Sequence, residues 1–372
     1  MPRRSTAPPP VLPGYSYIRP LGAGGFADVF LYEQDMPRRV VAVKVLLDDA
    51  INPDVLRAFT GEADTLARLS AHPAIVTIHQ ASISADGRPY FVMEYCPDTL
   101  AAEAKREPLP AARALDAAVR VASALETAHR SGVLHRDIKP SNLLVTTLDT
   151  PVLADFGIAS AIAAADDATD TIAMSLPWSA PEVVRGDTNG TVASEIWSLG
   201  ATLYTLVAGH APFEPADGER IGRRKHEELI LKGRHVPTGR EDLGDRFAAA
   251  LERCLQKDPA ARFGSMMELA EELRWAQYDL ALAPTAIEVA TPEWAAATGS
   301  APAEPARLPT ISTVQTQSRR AARAQHLAST QRRKEQSTPD APPRRVDRRT
   351  LLIGAAIGAA VVALGSILLA AV

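Results

Sequence analysis

Apolar and polar positions change their period part-way along the 372-residue chain. From Tyr15 to Glu94, short runs rich in Val, Ile, Tyr and Phe alternate with polar residues over Tyr15–Leu21, Ala27–Glu33, Val40–Leu47, Ile75–Ile83 and Tyr90–Glu94. Such alternation predicts strands, and the turn sequences MPRR and ADGR separate neighbouring runs. One interval departs from it: Asp54–Leu69 carries Val55, Phe59, Leu66 and Leu69 at a spacing that gathers them on one helix face. After Cys96 the chain becomes Ala-rich, and the pattern predicts helices over Leu115–His129, Glu195–Ala208 and Phe247–Gln256. The globular pattern thus runs from Tyr15 to about Leu280, strands first and helices after.

Either side of it the texture differs. Residues 1–14 are Pro-rich, carry no apolar signal run and are expected to form a flexible leader. From about Ala283 to Asp347 (the 281–350 interval) the chain is mostly Ala, Pro, Thr, Ser, Gln and Arg, which predicts a disordered linker; Trp294 is an isolated exception. Its last part is basic. Ten Lys and Arg against three acids lie between Arg319 and Arg349, although the whole chain has a net charge of only −4. Leu351–Val372 then contains no charged residue. At helical rise these residues span roughly 33 Å, enough for a bilayer core. A C-terminal transmembrane helix is therefore expected, with Arg344, Arg345, Arg348 and Arg349 on the cytoplasmic side. That arrangement makes the protein a single-pass cell-membrane protein, anchored at its C-terminus with the preceding residues cytoplasmic. The basic run beside the span favours anionic lipid headgroups over nucleic acid, and no nucleic-acid partner is expected. Gly354 and Gly358 form a G-x-x-x-G pair that suits close packing of two helices into a homodimer. Cys96 and Cys254 have no pairing or metal-ligand spacing, so both are expected as free thiols.

The chemistry concentrates in four short stretches. VLHRDIKPSNLLV (Val133–Val145) sets His135, Arg136, Asp137, Lys139 and Asn142 inside an apolar run, costly unless those groups are paired or reactive. LGAGGFADVF (Leu21–Phe30) is glycine-rich and suits close approach to phosphates. A dinucleotide-binding fingerprint would need a helix directly after it; the residues that follow alternate like a strand, so the loop joins two strands. Lys44 stands alone in the apolar run VVAVKVL, with Glu62 eighteen residues later on the expected helix. LADFGIA (Leu153–Ala159) places Asp155 after an apolar strand, where it suits a divalent cation with Asn142 as a second oxygen ligand.

These stretches, with APE (Ala180–Glu182) and KDPAARF (Lys257–Phe263), occur in an order that resembles the bacterial eukaryotic-like (Hanks-type) Ser/Thr protein kinases from about Tyr15 to Trp275. The resemblance implies an α+β, bilobal protein-kinase fold: a small β-rich lobe with one helix over residues from 15, and a larger helical lobe ending near 280. It implies ATP with Mg²⁺, or Mn²⁺ in its place, and protein substrates. Leu21, Gly22, Gly24 and Gly25 would cover the phosphates; Lys44, paired with Glu62, would hold them. Val29 and Ala42 above and Leu144 below would enclose the adenine, with Met93 behind it and Glu94 and Cys96 offering backbone hydrogen bonds. Asp137 would receive the substrate hydroxyl proton, Lys139 would neutralise the moving phosphoryl group, and Asn142 and Asp155 would hold the metal. Lys139 two places after Asp137 fits Ser/Thr acceptors.

Departures from the family pattern are Ala27 at the third loop glycine, Ser175 and Trp178 in MSLPWSAPE, and Glu195 in EIWSLG. Ser175 keeps a hydroxyl for Asp137 and Lys139; Trp178 is expected to alter the pocket for the residue after the phosphoacceptor. Glu195 stands for an aspartate that braces the catalytic loop, and its extra methylene is expected to loosen that brace. Thr169 and Thr171 are candidate autophosphorylation sites that Arg136 would bind once modified. The rival reading is a nucleotide-binding pseudokinase scaffold at the membrane. Joint retention of Lys44, Glu62, Asp137, Asn142 and Asp155 argues against it.

Overall fold

The computed structural model describes residues 6–25, 27–47, 59, 63–156, 175–214 and 221–290. Its first part is a five-stranded antiparallel sheet in the order β1-β2-β3-β5-β4: β1 (Tyr15–Ala23), β2 (Ala27–Gln34), β3 (Arg39–Leu46), β4 (Ile78–Ile83) and β5 (Pro89–Glu94). The strand expected from Ile75 begins three residues late, and Ile75 instead forms a lone parallel bridge to Leu153. Of the expected Asp54–Leu69 helix, Phe59 and 63–69 (α1) are described and helical.

Both faces of this sheet are covered, which explains why its central strands read as nearly continuous apolar runs. Phe30, Tyr32, Val41, Val43, Val45, Tyr90 and Val92 form one buried cluster. Leu46 and Phe91 join Phe59, Leu66 and Leu69 on the opposite side. On the first face the described part of the expected flexible leader, residues 6–14, is seated as a strap, and residues 1–5 lie outside the described residues. Leu12 is buried there, Tyr32 Oη donates to the Pro10 carbonyl at 2.7 Å, Arg88 Nη2 to the Pro8 carbonyl at 2.9 Å, and the Ala7 amide to Asp28 Oδ2 at 2.7 Å. The prolines that make the segment look unstructured also lower the entropy lost on fixing it.

The helical part includes a small sheet, β6 (Asp98–Thr99), β7 (Leu143–Val145) and β8 (Pro151–Leu153); α2 (Leu100–Arg106) and α3 (Ala111–Arg130) lie between β6 and β7, and α4 (Pro181–Val184), α5 (Val192–Ala208), α6 (Arg223–Lys232), α7 (Gly244–Cys254) and α8 (Met266–Asp279) follow β8. Helix α3 runs through the core, its Ala-rich faces allowing close approach of α8 and α5. Helix α5 starts before the expected Glu195, because Thr191 and Ser194 form a reciprocal capping box. Gly200 in α5 lies against α7 so closely that a Cβ there would sit 2.4 Å from Cys254 Cβ. Arg262 spans the gap between α4 and the turn before α8 through a bidentate bond to Glu182 (2.6 and 2.9 Å), and it also donates to the Ala193 and Gln256 carbonyls.

The start of the expected linker also differs from expectation. Leu282 and Ile287 lie against the main core, and Thr285 is buried. Among the described residues no helix is long and apolar enough to cross a membrane. Residues 291–372, with Trp294, the basic run, Gly354, Gly358 and the apolar run 351–372, lie outside the described residues.

These contacts set the cost of two substitutions. Glu182→Ala strands the buried Arg262 charge and is expected to cost about 3–5 kcal/mol, read as a lowered denaturant midpoint; an unchanged midpoint contradicts the assignment. Gly200→Ala is expected to destabilise by about 1–3 kcal/mol despite alanine's better helix propensity, through overpacking. Adding Cys254→Gly removes the opposing Cβ, and thermal melting of the double variant is expected to recover part of the loss.

Candidate active site

Strand β3 carries Lys44 on the face it shares with Ala42 and Leu46. Lys44 pairs across the sheet with Val29 on one side and Phe91 on the other, and Ala42 pairs with Met93. With apolar neighbours on either side, its ammonium group requires an anion. The anion is Asp155, whose Oδ1 lies 2.7 Å from Lys44 Nζ. Only 12% of the Lys44 side chain is exposed, whereas 38% of Asp155 faces the cleft. Burial alone would raise the Asp155 carboxyl, but the Lys44 charge and hydrogen bond, with a smaller pull from Lys139, outweigh it and hold it below the ordinary carboxylate range. Glu62, the expected partner of Lys44, lies outside the described residues, as do Thr169 and Thr171.

The glycine-rich loop turns tightly between β1 and β2. The Gly24 amide donates to the Ala27 carbonyl at 2.8 Å, and a Cβ at Gly24 would meet that oxygen at 3.0 Å. Gly22, Gly24 and Gly25 are exposed and Leu21 half-buried; Gly22 pairs with Val29. Beneath the sheet, Leu144 and Cys96 lie half-buried against Val76, Val152 and Ala154. The Glu94 amide is held by the Thr77 carbonyl at 2.9 Å, which fixes the connection between the two parts of the chain. Burial, then Glu94, pushes the Cys96 thiol up to about 12, so it is protonated and unreactive at neutral pH.

The loop after α3 supplies the second group of charges. Lys139 Nζ donates to Asp137 Oδ2 at 2.7 Å and to Ser175 Oγ at 3.2 Å, and Ser175 Oγ donates to Asp137 Oδ1. Asn142 Nδ2 bonds the Asp137 carbonyl at 2.8 Å and its Oδ2 at 3.1 Å. With the amide nitrogen committed to Asp137, Asn142 Oδ1 is the end able to face a cation. Arg136 and Asp155 each have a left-handed backbone, φ 65°. Non-glycine residues hold that conformation only where their surroundings enforce it.

What enforces it at Arg136 is Glu195, the residue expected from its length to loosen the loop. Glu195 is 2% exposed; its Oε1 accepts from the Arg136 amide at 2.6 Å, and its Oε2 lies 2.6 Å from His129 Nε2. The longer side chain reaches both partners, so the glutamate braces the loop from α5. His129 has no distinguishing pattern in the sequence, being a lone histidine near a helix end. His135 fills the next position: its Nε2 bonds the Ala154 carbonyl at 2.8 Å, and its Nδ1 accepts from the Asp137 amide at 3.2 Å. Burial lowers its basicity against the raising pull of Glu195, so the ring is neutral. It lies against Phe156 with centroids 4.5 Å apart. Phe156 in turn borders a small cavity with Leu66 of α1 and Ile78 of β4. Trp178 is anchored by its Nε1 donating to Thr205 Oγ1 at 3.0 Å, half-buried against the cluster around Trp197 and Leu176.

The donor set suits a nucleotide with a hard cation. Magnesium is held by one or two carboxyl or amide oxygens, with phosphate oxygens and water completing its shell. Asp155 and Asn142 provide such oxygens, and Lys44 and Lys139 provide charge for phosphates. Among the described residues no cluster of three or more His, Cys, Asp or Glu could hold a metal unaided.

Comparison with known proteins agrees with this geometry. The protein kinase domain family matches residues 15–275. Serine/threonine-protein kinase PknK of Mycobacterium bovis is 40% identical over 264 residues, 70% of this chain and 23% of that protein. Serine/threonine-protein kinase PknB of Mycobacterium leprae is 31% identical over 278 residues, 72% of this chain and 44% of the relative. The crystal structure of the Mycobacterium tuberculosis PknI kinase domain, determined on a cysteine-to-alanine mutant, superposes with a TM-score of 0.54 at 28% identity, covering 73% of this chain and 99% of that one. The chain spans less than half the length of these two curated relatives. The chain belongs to the protein kinase domain family, within the bacterial Hanks-type Ser/Thr kinases.

Proposed function

We propose that the chain transfers the γ-phosphate of ATP to Ser and Thr hydroxyls of proteins, itself included, while tethered to a membrane by its C-terminal residues. The observation that carries the transfer reading is the joint placement of Asp137, Lys139 and Ser175 in one hydrogen-bonded group beside Asn142. A substrate hydroxyl docked there would meet the Asp137 carboxylate as acceptor for its proton. ATP with Mg²⁺ supplies the phosphoryl group and the charge neutralisation that a loose transition state demands. Lys44 and Asp155 grip the nucleotide side, Asn142 and Asp155 hold the cation, and Lys139 balances charge on the transferred group. The glycine loop closes over the phosphates, and Val29, Ala42, Met93 and Leu144 enclose the base. The scaffold alternative needs one of these groups to be missing or turned away, and the described ones converge.

Tethering is supported by the 351–372 run without charged residues and by the basic excess before it. Lipid contact through the basic run and pairing through Gly354 and Gly358 belong to the same reading, as does modification of Thr169 or Thr171 to give a phosphate that Arg136 would bind.

Full-length protein with Mg²⁺ and γ-labelled ATP is expected to label itself and a generic protein acceptor on Ser and Thr. Asp137→Asn is expected to reduce the rate by about 10²–10⁴ while nucleotide binding persists; equal labelling of both proteins contradicts the assignment. Removal of residues 351–372 is expected to shift the protein from the alkaline-washed membrane pellet to the supernatant, and a pelleted truncation would refute the tether.

A further inference from the structure

The chain does not leave the domain at the end of α8. Residues 282–290 run back along α3 and are tied down at three successive points. Thr285 is the first: its amide bonds Gln277 Oε1 and its hydroxyl accepts from Gln277 Nε2, each at 2.8 Å. The same hydroxyl donates to Asp116 Oδ1 on α3 at 2.9 Å, and Asp116 is held by Arg120. Gln277 and Thr285 are buried, so this is a complete polar network and costly to leave half-made. The second is the Ala290 amide, which donates to Thr127 Oγ1 on α3 at 3.2 Å. The third reaches out of the helical part altogether: the Glu288 carbonyl lies 2.6 Å from His72 Nε2.

His72 stands at a junction. Its amide closes the end of α1 on the Leu69 carbonyl at 3.0 Å, and its Nδ1 accepts from the Ala74 amide at 3.0 Å. The ring proton therefore sits on Nε2 and is donated to Glu288. Two residues on, the Ala74 carbonyl accepts from the Leu153 amide at 2.9 Å, and the Val76 amide donates to the Leu153 carbonyl at 3.0 Å. Leu153 ends β8, two residues before Asp155. One loop thus touches the end of α1, the strand that delivers Asp155, and the segment after α8. Beside the Glu288 contact a groove of about 520 Å³ lined by Leu69, His72, Pro73, Thr127, Ile287 and Val289 stays open. The segment therefore covers the junction from the surface, with Ile287 seated against the core beneath it.

We propose that Thr285–Ala290 is a positioning clamp for the nucleotide site, acting through His72 on α1 and β8, so that a pull or displacement of the chain after Ala290 is felt at Lys44 and Asp155. The consequence for nucleotide binding rests on the kinase reading; the mechanical coupling does not. It gives a domain with no other described connection to its linker a route by which the linker's attachment alters the site.

The test separates the two jobs of His72 in the full-length protein. In His72→Asn the side-chain oxygen can still accept from the Ala74 amide, but the side chain is too short to reach Glu288. In His72→Gln the side-chain nitrogen can still donate to Glu288. Hydrogen exchange of His72→Asn is expected to be about tenfold faster at residues 66–76 and 285–290, the equivalent of one lost hydrogen bond. Exchange in α5 and α8 is expected to stay at wild-type rates, affinity for a non-hydrolysable ATP analogue to fall several-fold, and His72→Gln to restore both. Ala290→Pro, which removes the amide bound by Thr127, is expected to act in the same direction. Wild-type exchange at 66–76 in His72→Asn overturns the clamp. So does acceleration spread evenly over all helices, which marks a general loss of stability. Faster local exchange with unchanged analogue affinity overturns the link to the nucleotide site, and loss of analogue binding by the wild-type protein itself counts against the kinase reading instead.

Discussion

The catalytic loop hangs from one buried carboxylate. Glu195 sits inside α5, where most residues are buried, and reaches up to the Arg136 amide and across to His129. A carboxyl group almost without solvent is tolerated only when its oxygens find hydrogen-bond partners with good geometry. Here those partners are a backbone amide of the loop and the last turn of α3. The requirement runs both ways: the core must satisfy Glu195, and in doing so it holds Arg136 in its left-handed backbone and aims Asp137 into the cleft. His135, Asp137, Lys139 and Asn142 then find each other through short bonds along a single loop.

The opposite wall of the cleft solves a similar problem differently. Lys44 is embedded in a strand covered on both faces, where a cation has no route to water except into the cleft. Its bond to Asp155 links the sheet to the strand–loop region of the helical part. Behind that bond, Phe156 lies against the His135 ring and lines with Leu66 of α1 the small cavity that Lys44 and Asp155 also border. Phosphoryl transfer asks little covalent chemistry of a protein and much positioning, and the buried polar groups of this arrangement serve that rigidity.

Much of this is legible in the sequence because its strands and long helices keep a clean period. Lys44 and the Asp137–Asn142 loop stand out as charges in apolar surroundings. What the sequence hides has specific causes. The strap at 7–12 is Pro-rich, and prolines read as linker whether or not an aromatic face such as Tyr32 lies beneath them. Residues 282–290 are short and mixed in polarity, and only the fold shows that Thr285 meets Gln277 and Asp116. Helices α6 and α8 are highly charged on their outer faces, which masks the few residues, Ile230, Leu269 and Leu273 among them, that seat them. Glu195 looks like a loosened brace in the sequence because side-chain lengths can be compared there and the backbone's adjustment to them cannot. His129 carries no local signal at all.

The account stands or falls on whether the Glu195 carboxylate holds the transfer geometry, and Glu195→Gln tests this with hardly any change in volume. The measurement is the single-turnover rate of phosphate transfer alongside ATP affinity in the same variant. The account predicts a folded protein with wild-type ATP affinity and a transfer rate lowered about tenfold or more, the scale of a hydrogen bond to a charged group. A wild-type transfer rate in that variant would show that the catalytic loop is held by something else.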